Sequence, residues 1–188
     1  MRCFQLGAGT SGGTSGSAST GAVKDIVSNW VGRSRDVASA MIKKYGVPDE
    51  ATDSRLIWGP RGVWNEIVVY REPVFHNWPT PHVDVLEQSV NYQYPLDRYD
   101  DVVMFDGSVS AERTKGVLKA RCDSEAGNYL ALNLAHEIAT NRRAWQDCRE
   151  FYEQVMMNAS KGLTHSYLTG LIFTPAATPQ GDPDNKVF

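Results

Sequence analysis

The sequence contains no apolar run approaching the ~18 residues that a membrane-spanning helix needs, so no transmembrane segment is expected. Cysteine is scarce, with three among 188 residues. An odd and sparse set cannot close into a disulfide framework. An excess of positive charge is also lacking: 19 Lys and Arg stand against 22 Asp and Glu, for a net charge of −3. No global positive field exists to hold nucleic acid or an anionic membrane, so neither is expected as a partner. The phosphate-binding pattern G-x-x-x-x-G-K-(S/T) is missing, and so is the G-x-S-x-G elbow of serine hydrolases. What remains is ordinary globular composition, 41% hydrophobic and 22% charged, in a length that suits one domain.

From Gly7 to Thr20 the chain holds only Gly, Ala, Ser and Thr. Such a segment has almost no side chain with which to offset the entropy of ordering, and it reads as a flexible tether. Gly7, Gly9 and Gly12 spell G-x-G-x-x-G. A dinucleotide fingerprint needs a strand before it and a helix opening within it. Here more Gly and Ser follow, so no cofactor is expected. Met1–Leu6 is too short for the apolar core of a signal peptide. A tether before a compact domain is nonetheless what a mature envelope protein presents, which leaves cytoplasm and periplasm both open. The expected organisation is a Gly/Ser/Thr-rich tail over 1–21, a single domain over 22–174 and a Pro-rich tail over 175–188.

Within the domain, apolar residues spaced by three and four predict a helix over Val23–Tyr45, with Gly32 a weak point that could move its start to Ser34. Gly46 and Pro48 end it. Arg55–Trp58 and Val63–Arg71 predict a hairpin, and Val83–Tyr94 a third strand. Between them, Glu72–His82 is too rich in proline for a central strand and reads as an ordered loop. A short helix over Leu96–Phe105 and a hairpin over Ser108–Cys122 follow. Asp123 or Ser124 caps a largely buried helix to about Thr140, and Asn141 caps a second to about Ser160. Tyr167–Phe173 reads as a last strand or an extended arm. The fold class expected is therefore α+β: an N-terminal helix, a mostly antiparallel sheet and a C-terminal antiparallel helical pair.

The helix end Lys43-Lys44-Tyr45-Gly46-Val47-Pro48-Asp49-Glu50 leads into Leu56-Ile57-Trp58 and then Val68-Val69-Tyr70. This order resembles a group of uncharacterised bacterial proteins in which a "YG-x-P-(D/N)-E" turn precedes an "L-I-W" strand. The likeness extends over about Ala38–Phe173. It implies no activity and no catalytic residue.

Chemistry-bearing residues converge on one stretch. His76 and His82 flank the proline-rich loop, Asp84 lies two beyond His82, and Phe75 and Trp78 lie between or beside them. In a strand, His82 and Asp84 point to one face. Two imidazoles and a carboxylate suit a divalent metal, although this spacing is not diagnostic. The plainer alternative is that the histidines bond loop backbone. Proline-stiffened loops hold side chains in place, so any functional pocket is expected here, with aromatic walls and His82 and Asp84 as its polar floor. Arg113 or Arg121 would complete it through sheet pairing. His136-Glu137-x-x-Thr140 lacks the second histidine of a zincin, and His136 reads as a half-buried hydrogen-bonding residue. Cys122 precedes a helix N-terminus, which would lower its pKa; a small buried residue is the alternative. The leading functional expectation is a non-catalytic domain that binds a small molecule or a protein partner. The alternative is a small metal-dependent or acid/base enzyme using His76, His82 and Asp84.

One consequence of the helical pair is chemical. Cys148 falls opposite about residue 134, and Cys122 lies some 12 residues further along the first helix, roughly 18 Å away. A disulfide needs Cα atoms within about 7 Å. Peptide mapping of unreduced protein is expected to find Cys122 and Cys148 as separate thiols; a Cys122–Cys148 crosslink would contradict the pairing of the helices.

Overall fold

The computed structural model describes residues 19–187. The G-x-G-x-x-G glycines, Cys3 and nearly all of the tail assigned to 1–21 lie outside the described residues. Ser19 accepts from the Ala22 amide and caps helix α1 (Thr20–Ser28), so folded structure begins at the end of that tail. The single helix expected over Val23–Tyr45 is two. Helix α2 runs Gly32–Tyr45. Between them Trp30 turns into the core, Val31 is exposed, and Gly32 takes φ +57°, a left-handed value that glycine adopts without a side-chain clash.

Six strands form one antiparallel sheet: β1 (Glu50–Ala51), β2 (Arg55–Trp58), β3 (Glu66–His76), β4 (His82–Asn91), β5 (Val109–Glu112) and β6 (Val117–Cys122). Their spatial order is β1-β2-β3-β4-β6-β5. The α+β class holds. The proline-rich segment differs from expectation. Strand β3 continues through Pro73 to His76, which leaves only Asn77–Pro81 as a turn, with a cis Trp78–Pro79 peptide. Proline is tolerated because β2 pairs no further than Tyr70, and because the β3–β4 register breaks between Val69 and Val74. Pro73 therefore sits where no regular ladder requires its missing N–H.

Leu56, Trp58, Ile67, Val69, Leu86, Val90, Leu118 and Ala120 share one face of the sheet and are buried. Helices α2 and α4 (Glu125–Ala139) cover it. Helix α3 (Tyr99–Phe105) follows a 3₁₀ turn at Leu96–Arg98, and α5 (Trp145–Ser160) packs on α3 and α4. Asn141 does not cap α5. It takes φ +56° in the link, a conformation Asn accepts more readily than most residues, and α5 starts after Ala144. The Cys148 thiol reaches the Leu134 carbonyl, at 3.7 Å, so the C-terminal pair meets where the periodicity predicts. Both described cysteines are free. Tyr167–Phe173 forms no strand; it holds a 3₁₀ turn and an irregular arm pinned by Asn133. Ala176 then pairs with Asn91. Among the described residues no helix is long and apolar enough to cross a membrane.

One half-buried carboxylate ties three elements together. Glu125, at the start of α4, accepts from Lys44 and from Tyr45 on α2, and from Gln88 on β4. Burial pushes its carboxyl up, but these three donors outweigh that and hold it below the ordinary range. A depressed folded pKa contributes stability that is present above the unfolded value, near 4.3, and is lost as pH falls through the folded one. Denaturation of Glu125→Gln is therefore expected to show less loss of stability on acidification than the parent over that interval. An identical acid limb would remove Glu125 from this role.

Candidate metal centre

His76 ends β3 and His82 begins β4, and the register sets them directly opposite each other. Their ring centroids are 4.8 Å apart. Asp84 lies two residues along β4 from His82 and pairs with Val74, so all three side chains leave the same side of the hairpin. Asp84 is only 3% exposed, whereas the imidazoles keep about a fifth of their side-chain surface. One ligand atom from each of the three lies within 4.8 Å of the others.

The contacts are close but are not hydrogen bonds. His76 Nδ1 is 3.2 Å from Asp84 Oδ2, and His82 Nε2 is 3.2 Å from Asp84 Oδ1. Yet His76 Nδ1 and Asp84 Oδ1 are buried without a hydrogen-bond partner. His82 Nδ1 lies 2.8 Å from the Thr80 carbonyl. A carbonyl only accepts, so Nδ1 carries a proton, and Nε2 is the nitrogen turned toward Asp84. Burial raises the Asp84 carboxyl above its ordinary range, while His76 and His82 pull the other way. Behind His76, Asp106 Oδ1 stands 3.9 Å from Nε2 and is held by the amide and hydroxyl of Ser108.

Trp78 anchors the tip of the hairpin rather than lining a pocket. Its Nε1 donates to Glu153 at 2.8 Å, its ring packs on Tyr152, and the Arg149 guanidinium lies 4.1 Å from its centre. Phe75 points away and is exposed. Trp58 and Trp64 are core, and Tyr70 packs beneath Arg121. Arg113 is not brought to the histidines: it sits at the β5–β6 turn and pairs with Asp184. Arg121 comes nearer, opposite Glu87, and acts on Asp84 through space. None of the most prominent clefts is lined by His76, Trp78 or His82. What the segment brings together at His76, His82 and Asp84 is a cluster of ionic dimensions, and one cleft is lined by its first residues, Glu72 and Pro73. His136 is half-buried, bonded to the Tyr92 hydroxyl and stacked on Phe173.

Two neighbours escaped the sequence reading. Asp106 precedes Gly107, a pairing that by spacing alone reads as a turn. Cys122 Sγ lies 3.8 Å from His82 Nε2. The helix N-terminus does not activate it: burial first, then Asp123, pushes the thiol up to about 12. No local signal reveals either, because each arrives from a different strand connection. Compared with known proteins, the chain matches no family model, no curated protein and no solved structure.

Gly127, in the first turn of α4, leaves room for the thiol. A Cβ there would stand 2.5 Å from Cys122 Sγ. Gly127→Ala is expected to cost about 1–3 kcal/mol by overpacking. In chemical denaturation, combining it with Cys122→Ala should cost less than the sum of the two single changes. Strict additivity would show that the two sites do not press on each other.

Proposed function

We propose that this domain is a non-catalytic metal-binding module, with His76, His82 and Asp84 holding one divalent transition-metal ion. The observation that carries this reading is the pair of buried, unpartnered atoms, His76 Nδ1 and Asp84 Oδ1, beside Nε2 of His82. A buried polar atom without a partner costs about 1–3 kcal/mol, more if charged. An ion coordinated between them removes that cost. Nitrogen and oxygen ligands of a tetrahedral ion, bonded at about 2.0–2.2 Å, stand roughly 3.3 Å apart. Each imidazole stands 3.2 Å from one oxygen of Asp84, His76 from Oδ2 and His82 from Oδ1, close to this spacing. The three ligand atoms, all within 4.8 Å of one another, need draw together by no more than about 1.5 Å to share the ion. Imidazole favours zinc, copper, iron and nickel over magnesium or calcium, which prefer oxygen.

Asp106 behind His76 suits an outer partner that orients a ligating ring. The enzyme alternative would use the same three residues. It would also require substrate space beside the ion, and the prominent clefts lie elsewhere, so the binding reading is preferred.

Chelator-stripped protein titrated with Zn²⁺ by calorimetry is expected to bind about one ion per chain. His82→Ala and Asp84→Asn should abolish that binding, and Asp106→Asn should weaken it by about 10–100-fold. At free metal 100 times the dissociation constant, the parent should gain about 2.7 kcal/mol of stability. Absence of stoichiometric binding by folded parent protein refutes the proposal.

A further inference from the structure

We propose that Cys122 is the fourth ligand of this ion, closing a His₂-Asp-Cys site of the kind that holds zinc; the inference rests on the metal-binding reading above. The sheet brings the thiol there. Cys122 ends β6 opposite Leu86, and Asp84 is two residues before Leu86 on β4. Cys122 therefore leaves the same face as Asp84, one diagonal step away. His76 and His82 share that face across β3 and β4. His76, His82 and Asp84 cluster within 4.8 Å of one another and Cys122 approaches them at His82, so the four potential ligands come from three strands.

The spacing fits sulfur. Bonds of about 2.3 Å to sulfur and 2.0–2.1 Å to nitrogen set the two ligand atoms of a tetrahedral zinc roughly 3.5 Å apart. The observed separation of Cys122 Sγ and His82 Nε2 is 3.8 Å. The thiol is buried, and the position facing it is glycine; any larger residue at 127 would collide with the sulfur. An unpartnered, buried carboxylate oxygen on Asp84 is the independent sign that a ligand belongs in the space between these groups. Charge balances as well. Two neutral imidazoles, one carboxylate and one thiolate carry −2 against the +2 of the ion. Binding forms the metal–sulfur bond as the S–H proton leaves to solvent, and the ion supplies the stabilisation that burial denies a free thiolate.

The consequence separates two kinds of site. Three protein ligands and an open position characterise catalytic zinc, whereas four closed ligands characterise structural zinc. A thiolate also selects zinc over the harder cations. The module would then hold its ion as part of its architecture, clamping the end of the β3–β4 hairpin to the end of β6.

Cobalt(II) loaded into the reduced, chelator-stripped full chain reads the sulfur directly. The parent is expected to show a thiolate-to-cobalt charge-transfer band in the near ultraviolet together with strong tetrahedral visible bands. Cys122→Ser should still bind cobalt, at least about ten-fold more weakly, and lose the near-ultraviolet band. Cys148→Ser and Cys3→Ser should retain it. Zinc-edge absorption of the parent, which needs no variant, should find one sulfur at about 2.3 Å. Cobalt bound without a charge-transfer band, or a band that survives Cys122→Ser, overturns the role of Cys122 and leaves the three-ligand site standing. No cobalt bound by folded parent overturns the metal reading itself.

Discussion

The arrangement of the site depends on the register break in the β3–β4 hairpin. In the inner part of the pair, Ile67 and Val69 face the helices, opposite Gln88 and Leu86. In the outer part, Val74 and His76 stand opposite Asp84 and His82. Three more residues are consumed on β3 than on β4 between the two stretches. Because side chains alternate along a strand, an odd insertion exchanges the faces. Odd-numbered residues of β3 point to the core before the bulge, and even-numbered residues do so after it. Without the exchange, His76 would face away from His82 and Asp84, and the cluster would not exist.

The rest of the fold holds that hairpin still. Strand β4 is paired with β3 at Asp84 and with β6 from Leu86 onward, so Asp84 stands two residues beyond the ladder that places Cys122. Trp78 ties the tip of the hairpin to α5 through Glu153, Tyr152 and Arg149. At the other side of the same face, Glu125 locks α4 to α2 and β4, and Trp64 donates to the Tyr45 hydroxyl that completes this network. A ligand set on paired strands is held more tightly than one on a loop, which is what a site with little spare volume requires.

The polar interior divides by how completely it is satisfied. Glu125 has three donors, and Glu137 is met by Arg143 and Tyr167. These groups are structural and explain themselves. His76 Nδ1 and Asp84 Oδ1 are among the buried atoms left without a partner, and they lie together in one cluster of potential ligands. An unsatisfied pair in a native interior is costly, and function is the usual reason such a cost is kept. That difference, rather than the presence of histidine, sets this end of the sheet apart from His136, whose ring is both bonded and stacked.

The sequence by itself determined the class of fold, the two C-terminal helices and the nearness of His82 to Asp84. Each follows from local spacing: 3.6-residue periodicity, a serine cap before α4, and the two-residue repeat of a strand. It also marked His76, Trp78 and the intervening prolines as the stretch to watch. Tertiary structure alone decided that Pro73 lies within a strand, that Trp78 is an anchor and that Arg113 is elsewhere. It also decided that Asp106 and Cys122 stand beside the histidines. The physical reason is register. Pairing of β3 with β4 and of β4 with β6 is chosen by the burial of whole faces against α2 and α4, a sum over many side chains distant in sequence. A bulge that reverses one of those faces leaves no mark in the spacing of the residues it brings together.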